Sequence, residues 1–344
     1  MASHESSAAG GEKQNDATPR GLRRSCVWGA ALAVLLVARG TQGSEPEPLA
    51  SAPTVAVASL HAQRLLAALV SGASLATAGA VAQSVTTNPL ADPAVLGTSG
   101  GAFLGAQLGL VASTAANAPL ALRAASAVIG ALGGAALALV ALLMLARRAR
   151  PLEFLLTGFL LAALFSGAST LVTALAQERP LLGRALVMLG LGDLASAGWP
   201  ELRVAVPLAV GAIAGALLRR RDLDLLALGA DEAQSLGLAV SASRAALVAW
   251  IACGTAASVI LGGQLAFVGL LAPHLARRFV GGRHGALVPL AALFGGLVVV
   301  ASDRLAVSLV QVVSVPAGAI TTLAGAPFFF MLLRRRSGGD HGSA

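Results

Sequence analysis

The residues that could do chemistry in this chain are few and scattered. Its five histidines are His4, His61, His274, His284 and His341. None lies at ligand spacing from a second His, Cys or carboxylate on one helix face, so they suggest no zinc or iron site. His274, between Pro273 and the basic pair Arg277 and Arg278, reads as a capping or packing residue. Cys26 and Cys253 both sit in apolar stretches, as buried thiols do, which argues against a disulfide framework and against redox work. Lys13 is the only lysine, so a phosphate-binding loop of the form GxxxxGKS or GxxxxGKT cannot be built here. ATP and its Mg would have to be bound and hydrolysed by another subunit. No nucleophile stands beside a plausible base and no carboxylates are paired, so the chain is not read as an enzyme.

The elements that must position any function are apolar helices. A composition of 56% hydrophobic and 12% charged residues makes lipid the main solvent. The net charge of +8 is carried by arginines clustered between apolar runs, and only 4% of residues are aromatic, with no tyrosine. That pattern fits membrane topology and offers no stacking platform for nucleic acid. Residues 1–22 read as a disordered cytoplasmic extension, 23–336 as the membrane domain and 337–344 as a cytoplasmic tail. The run Cys26–Ala38 follows Arg23 and Arg24 and is short against the roughly 20 residues a span needs. It reads as a first span, with a cleaved signal peptide as the alternative. Segment 44–56 is then an outer loop.

Further spans are expected at about 62–84, 94–115, 122–146, 153–176, 202–219, 242–262, 264–280, 285–308 and 316–333. The expected fold is therefore all-α, a polytopic transmembrane helical bundle of about ten spans. Pro273 and His274 interrupt 264–280, where a broken helix is possible. With both termini in the cytoplasm, most arginines fall on the inner side, including Arg147, Arg148, Arg150, Arg219 to Arg221, Arg277, Arg278 and Arg334 to Arg336. The pairs Gly101/Gly105, Gly130/Gly134 and Gly211/Gly215 permit close helix packing. Acids in the spans are confined to Glu153 at a helix end and Asp303 near an outer end, with Asp92 in a Pro-bounded loop. An ion-coupled secondary transporter usually needs ionisable groups near the midplane, so that reading is the alternative rather than the first choice. A membrane enzyme or assembly factor is the third. Polarity inside apolar helices marks Gln83, Asn88, Ser99 and Gln107 as candidates for a translocation path.

Two segments break the helical pattern. In Asn88–Pro93, two prolines end a helix, and Asn88 and Asp92 can satisfy the freed backbone groups. The segment is either a tight interhelical turn or part of a transport site. In 222–238, Gly229 and Gly237 suit helix C-caps, giving two short helices outside the bilayer that mix leucines with acids. A surface so rich in leucine is expected to dock on a partner protein.

Residues 64–110, with Asn88-Pro-Leu-Ala-Asp-Pro93 and Leu96-Gly97, resemble the signature region of the FecCD-type permeases, which carry siderophores, haem and vitamin B12. Leu225–Gly237 is similar to that family's cytoplasmic coupling segment. Phe267–His274 before Arg277-Arg278, and Gly325-Ala-Pro-Phe328 before the terminal arginines, complete four matches in order over roughly 64–336. The resemblance implies a type II ABC importer permease in the bacterial inner membrane, with a second copy of the chain around a central path. It also implies two ATPase subunits and a periplasmic substrate-binding protein, with membrane lipid around the bundle. ATPase coupling would fall on Leu225, Leu226, Ala227, Leu228, Gly229, Ala230, Asp231, Glu232, Ala233, Leu236 and Gly237. Where the family has Arg-Leu-Pro-Arg before the second span, this chain has His61-Ala-Gln-Arg64, leaving binding-protein docking on His61 and Arg64. Val307 and Thr87 stand where arginines are usual. Selectivity among chelates is expected to rest mainly with the binding protein.

Overall fold

The computed structural model describes residues 54–146, 151–309 and 315–337. The first apolar run, the 1–22 extension and nearly all of the tail lie outside them. Among the described residues the fold is all-helical: α1 (Thr54–Val85), α2 (Thr98–Ala115), α3 (Leu120–Leu145), α4 (Pro151–Ala176), α5 (Pro180–Leu191), α6 (Trp199–Leu218), α7 (Arg220–Leu226), α8 (Ala230–Ser235), α9 (Val240–Gly262), α10 (Val268–Val280), α11 (His284–Leu309) and α12 (Ala317–Ser337). Six of these, α1, α3, α4, α6, α9 and α11, are long and apolar enough to cross a membrane.

Helix α1 is the central post, packed by α6, α9, α10 and α11. Lipid supplies no hydrophobic drive between helices, so close backbone approach must hold them, and α1 carries the small residues for it. A Cβ on Gly72 would stand 2.2 Å from the Gly295 carbonyl oxygen of α11, and one on Gly79 would stand 1.9 Å from that of Gly269 in α10. Helices α2 and α3 form an antiparallel pair in which Gly101 meets Gly134 and Gly105 meets Gly130. The pairs legible in the sequence thus contact each other. Gly211 and Gly215 of α6 instead receive the Trp250 indole of α9.

Two departures from the expected spans matter for function. The sequence reading leaves 177–201 without an element, but α5 occupies 12 of these residues. Its signals are local ones, Pro180 at the start and Gly192 closing the end at φ 79°, and it is too short to register as a span. The expected span 264–280 begins only at Val268, after a break at Gly263 (φ 58°) and Phe267 (φ 63°). The interruption therefore lies ahead of Pro273, which α10 carries within its length.

Candidate functional site

Three helix ends meet inside the bundle. The Gln264 N–H, in the break between α9 and α10, donates to the Leu189 carbonyl of α5 at 3.2 Å. The Gly318 N–H at the start of α12 donates to the Gly192 carbonyl at 3.2 Å. Freed backbone groups at membrane depth are tolerated only where protein or a water-lined cavity satisfies them, and such junctions mark transport sites.

Two adjoining cavities of about 650 and 390 Å³ open on this junction and share Ser166, Gly190, Leu191 and Gln264 in their walls. They form one crevice. On α4, Ser166, Ser169, Thr170, Thr173 and Gln177 recur at spacings of three and four and face it as a single polar stripe. Gly318 and Thr322 of α12 and Ala94, Ser99 and Gly100 line the other end.

Of the sequence-selected path residues, Ser99 is in this wall. Gln107 lies in the interior and donates to Thr173 Oγ1 at 2.9 Å, supporting the stripe from behind. Asn88 accepts from the Leu90 N–H at 2.9 Å and Asp92 from the Ala94 N–H at 2.8 Å, the Asx turns anticipated for this connector. Gln83 is buried, donating to the Gly269 carbonyl at 3.4 Å and accepting from Arg277 Nη1. The stripe on α4 and Gln264 are not among the residues expected from the sequence to line a path.

Three of the four sequence motifs adjoin one another. The second carboxylate oxygen of Asp92 faces the first turn of α10, 2.8 Å from where a Cβ on Gly269 would stand, so an acidic side chain sits at the positive end of that helix. Gly325 of α12 leaves room for Phe267, and the His274 ring meets Phe328 edge-on with centroids 5.9 Å apart.

At one end of the bundle, α7 and α8 are the two short helices expected of 222–238. Leu223, Leu226 and Ala233 are fully buried and anchor the segment in the bundle. Leu228 (62% exposed), Leu236 (61%), Ala227, Asp231, Glu232 and Gly237 point outward, while Leu225, Gly229 and Ala230 are half-buried. Gly229, expected to end the first helix, instead stands at the N-cap of α8, with Ala227 closing α7, and turns the chain at φ 127°, a conformation that side chains with a Cβ rarely adopt. Asp222 accepts from Arg219 Nη1 at 3.0 Å and from Ser243 Oγ of α9 at 2.9 Å.

At the opposite end of the bundle, Arg64 makes a two-pronged ion pair with Asp303 of α11, with Nη2 at 2.8 Å from Oδ1 and Nε at 2.9 Å from Oδ2. Arg304 adjoins them, with a buried Nε that has no hydrogen-bond partner, and His61 lies half-buried one turn before Arg64. Arg304 adds a second positive charge beside the one carboxylate that Arg64 pairs with, which leaves this patch cationic.

A polytopic bundle with broken helices around a crevice, and a helical segment projecting on one side, is the architecture of a membrane permease. Residues 28–335 match the FecCD transport family, and the chain belongs to it. It is 36% identical over 273 residues to the Fe(3+) dicitrate transport system permease protein FecD of Escherichia coli, covering 79% of this chain and 83% of that one. It is 37% identical over 278 residues to the vitamin B12 import system permease protein BtuC of Vibrio cholerae (80% and 82% covered). Against the hemin transport system permease protein HmuU of Yersinia pestis the identity is 34% over 275 residues (79% and 81%). A solved inward-facing conformation of a metal-chelate type ABC transporter superposes with a TM-score of 0.76 at 26% identity, covering 91% of this chain and 99% of that one. The protein is a multi-pass permease subunit of an ABC importer and is not itself an ATPase.

Proposed function

We propose that this chain carries a bulky metal chelate, of the iron-siderophore, haem or vitamin B12 class, through the crevice beside the α4 stripe. The observation that carries this reading is the stripe itself: four hydroxyls and an amide at helical spacing, with no charge, beside glycine and alanine walls. Such a surface hydrates a large solute without holding it tightly, which suits a path whose selectivity resides elsewhere. The relatives named for ferric dicitrate, hemin and vitamin B12 are 36%, 34% and 37% identical to this chain, so they support the class rather than one member.

Two copies would face each other across the path, and an ATPase would dock on the outward residues Leu228, Asp231, Glu232 and Leu236 of each. Leu226 and Ala233 would act by anchoring the segment. A substrate-loaded binding protein would meet the outer patch at His61, Arg64 and Arg304, with both termini of the permease in the cytoplasm. Among the path candidates Ser99 would touch the cargo, while Gln83, Asn88 and Gln107 would support its wall.

Co-purification with candidate ATPase subunits tests the core of this reading. The wild-type chain is expected to retain an ATPase that Gly229→Pro loses while staying folded, and proteoliposomes of the complex should take up ferric dicitrate, haemin or cyanocobalamin only with ATP and the binding protein. Uptake driven by an ion gradient with no ATPase bound would instead favour a secondary transporter.

A further inference from the structure

His284, the first residue of α11, is buried (1% exposed) and takes no part in the crevice or in the outward face of the docking segment. It nonetheless joins the two. Its backbone N–H donates to Asp224 Oδ1 of α7 at 2.8 Å, and its ring Nδ1 lies 2.7 Å from the same oxygen. A carboxylate only accepts, so in the neutral ring Nδ1 carries the proton and Nε2 is left as the acceptor. Ser84 Oγ, in the last turn of α1, stands 2.6 Å from that Nε2 and gives it its one proton in preference to the Ala80 carbonyl, 3.3 Å away. The chain of bonds runs from a half-exposed carboxylate on the docking segment (41% exposed side chain) to a buried hydroxyl (3%) in the central helix.

The position of Ser84 gives these bonds their consequence. The 86–97 connector begins two residues later and supplies Ala94 to the crevice wall, with Ser99 and Gly100 directly beyond. Gln83, beside Ser84, is held by Arg277 and by the Gly269 carbonyl of α10. The end of α1 is thus tied by polar bonds to α10 and α11. His284 is the tie that reaches α7.

We propose that His284 is a positioning residue for transport: through Ser84 it passes displacement of the docking segment to the connector that walls the crevice. The inference rests on the reading that α7 and α8 dock an ATPase. A rigid ring held at both nitrogens suits the task, because a hydrogen bond weakens steeply once stretched or bent, so the relay has a made and a broken arrangement. The Asp224 bond to the His284 N–H also caps α11, a purely structural service. The Ser84 bond contributes nothing to that cap, which makes Ser84→Ala the discriminating variant.

The experiment uses the full permease–ATPase complex in proteoliposomes, in a background with Cys26 and Cys253 replaced by alanine and Ala94→Cys as a reporter in the crevice wall. In the parent, ATP with vanadate changes the rate at which a maleimide labels the reporter. Ser84→Ala and His284→Ala are expected to keep their bound ATPase and its hydrolysis. They should shrink that change, and the transport per ATP, by about tenfold, the scale of one buried hydrogen bond. The double variant should be no worse than His284→Ala alone. His284→Gln, whose amide reaches the Nε2 position, should recover part of the response. If Ser84→Ala keeps the full ATP-dependent labelling change, the relay is wrong even though docking stands. If the parent complex recovers no ATPase, the docking reading falls and takes the relay with it.

Discussion

At the scale of single residues, the pair between Arg64 and Asp303 shows what local spacing can and cannot tell. Both residues stand near outer helix ends in the sequence, and Arg64 is a docking candidate by resemblance. They are 239 positions apart, and no periodicity links them. Asp303 is 3% exposed and relies on Arg64 for its charge, whereas Arg64 is 26% exposed. Arg64→Ala is therefore expected to destabilise the fold by about 3 kcal/mol by stranding a buried carboxylate. Arg64→Met with Asp303→Leu should recover most of that. Thermal melting in detergent reads both, and a double variant as unstable as the single one would show that the pair itself is not what matters. The polar candidates teach a related lesson. Gln83, Asn88 and Gln107 are legible in the sequence as polar groups needing partners, but polarity alone does not say whether the partner is protein or water. The α4 stripe is hidden in the sequence because Thr170 returns its hydroxyl to the Ser166 carbonyl, as small hydroxyl residues do in apolar helices.

At the scale of elements, glycine placement decides which helices touch. The i, i+4 pairs of α2 and α3 can be read directly and do meet. Gly72 and Gly79 of α1 are seven apart, on one face two turns from each other, a wider spacing that does not stand out although they seat the central helix. Gly79→Ala drives a Cβ against the Gly269 backbone, where no side chain can yield, and is expected to cost about 3 kcal/mol. Gly133→Ala of α3 meets nothing within 4 Å and should be neutral or stabilising by roughly 0.5–1 kcal/mol. Their melting temperatures in detergent should move in clearly different ways, and equal losses would mean that helix propensity, not contact, governs both. Helix α5 and the break before α10 are the least legible elements. Each serves the junction of helix ends, whose hydrogen bonds join residues such as Leu189 and Gln264 from separate parts of the chain.

At the scale of the whole molecule, α4 poses a problem that one chain does not solve. Its leucines Leu160, Leu164, Leu171 and Leu175 are all more than 60% exposed, which lipid alone would accept. Beside them, however, Ser166 and Thr170 are exposed as well, on the open side of the crevice. A hydrated stripe facing acyl chains has too few partners for its polar groups, so something must close the crevice. A second copy turned by a twofold axis would do so by bringing the same stripe opposite itself. Single-chain arithmetic gives no sign of this, since an exposed leucine reads alike against lipid or against protein; only the resemblance implies a pair. Cysteines test it directly. In a background without Cys26 and Cys253, Gly167→Cys, which lies between Ser166 and the leucine face and has open space around its added Cβ, is expected to give a dimer band with a short bismaleimide in membranes. Leu137→Cys on α3, 63% exposed and away from the stripe, should not. If Gly167→Cys stays monomeric while Leu137→Cys cross-links, the copies meet through α3, and the α4 stripe must be covered by another partner.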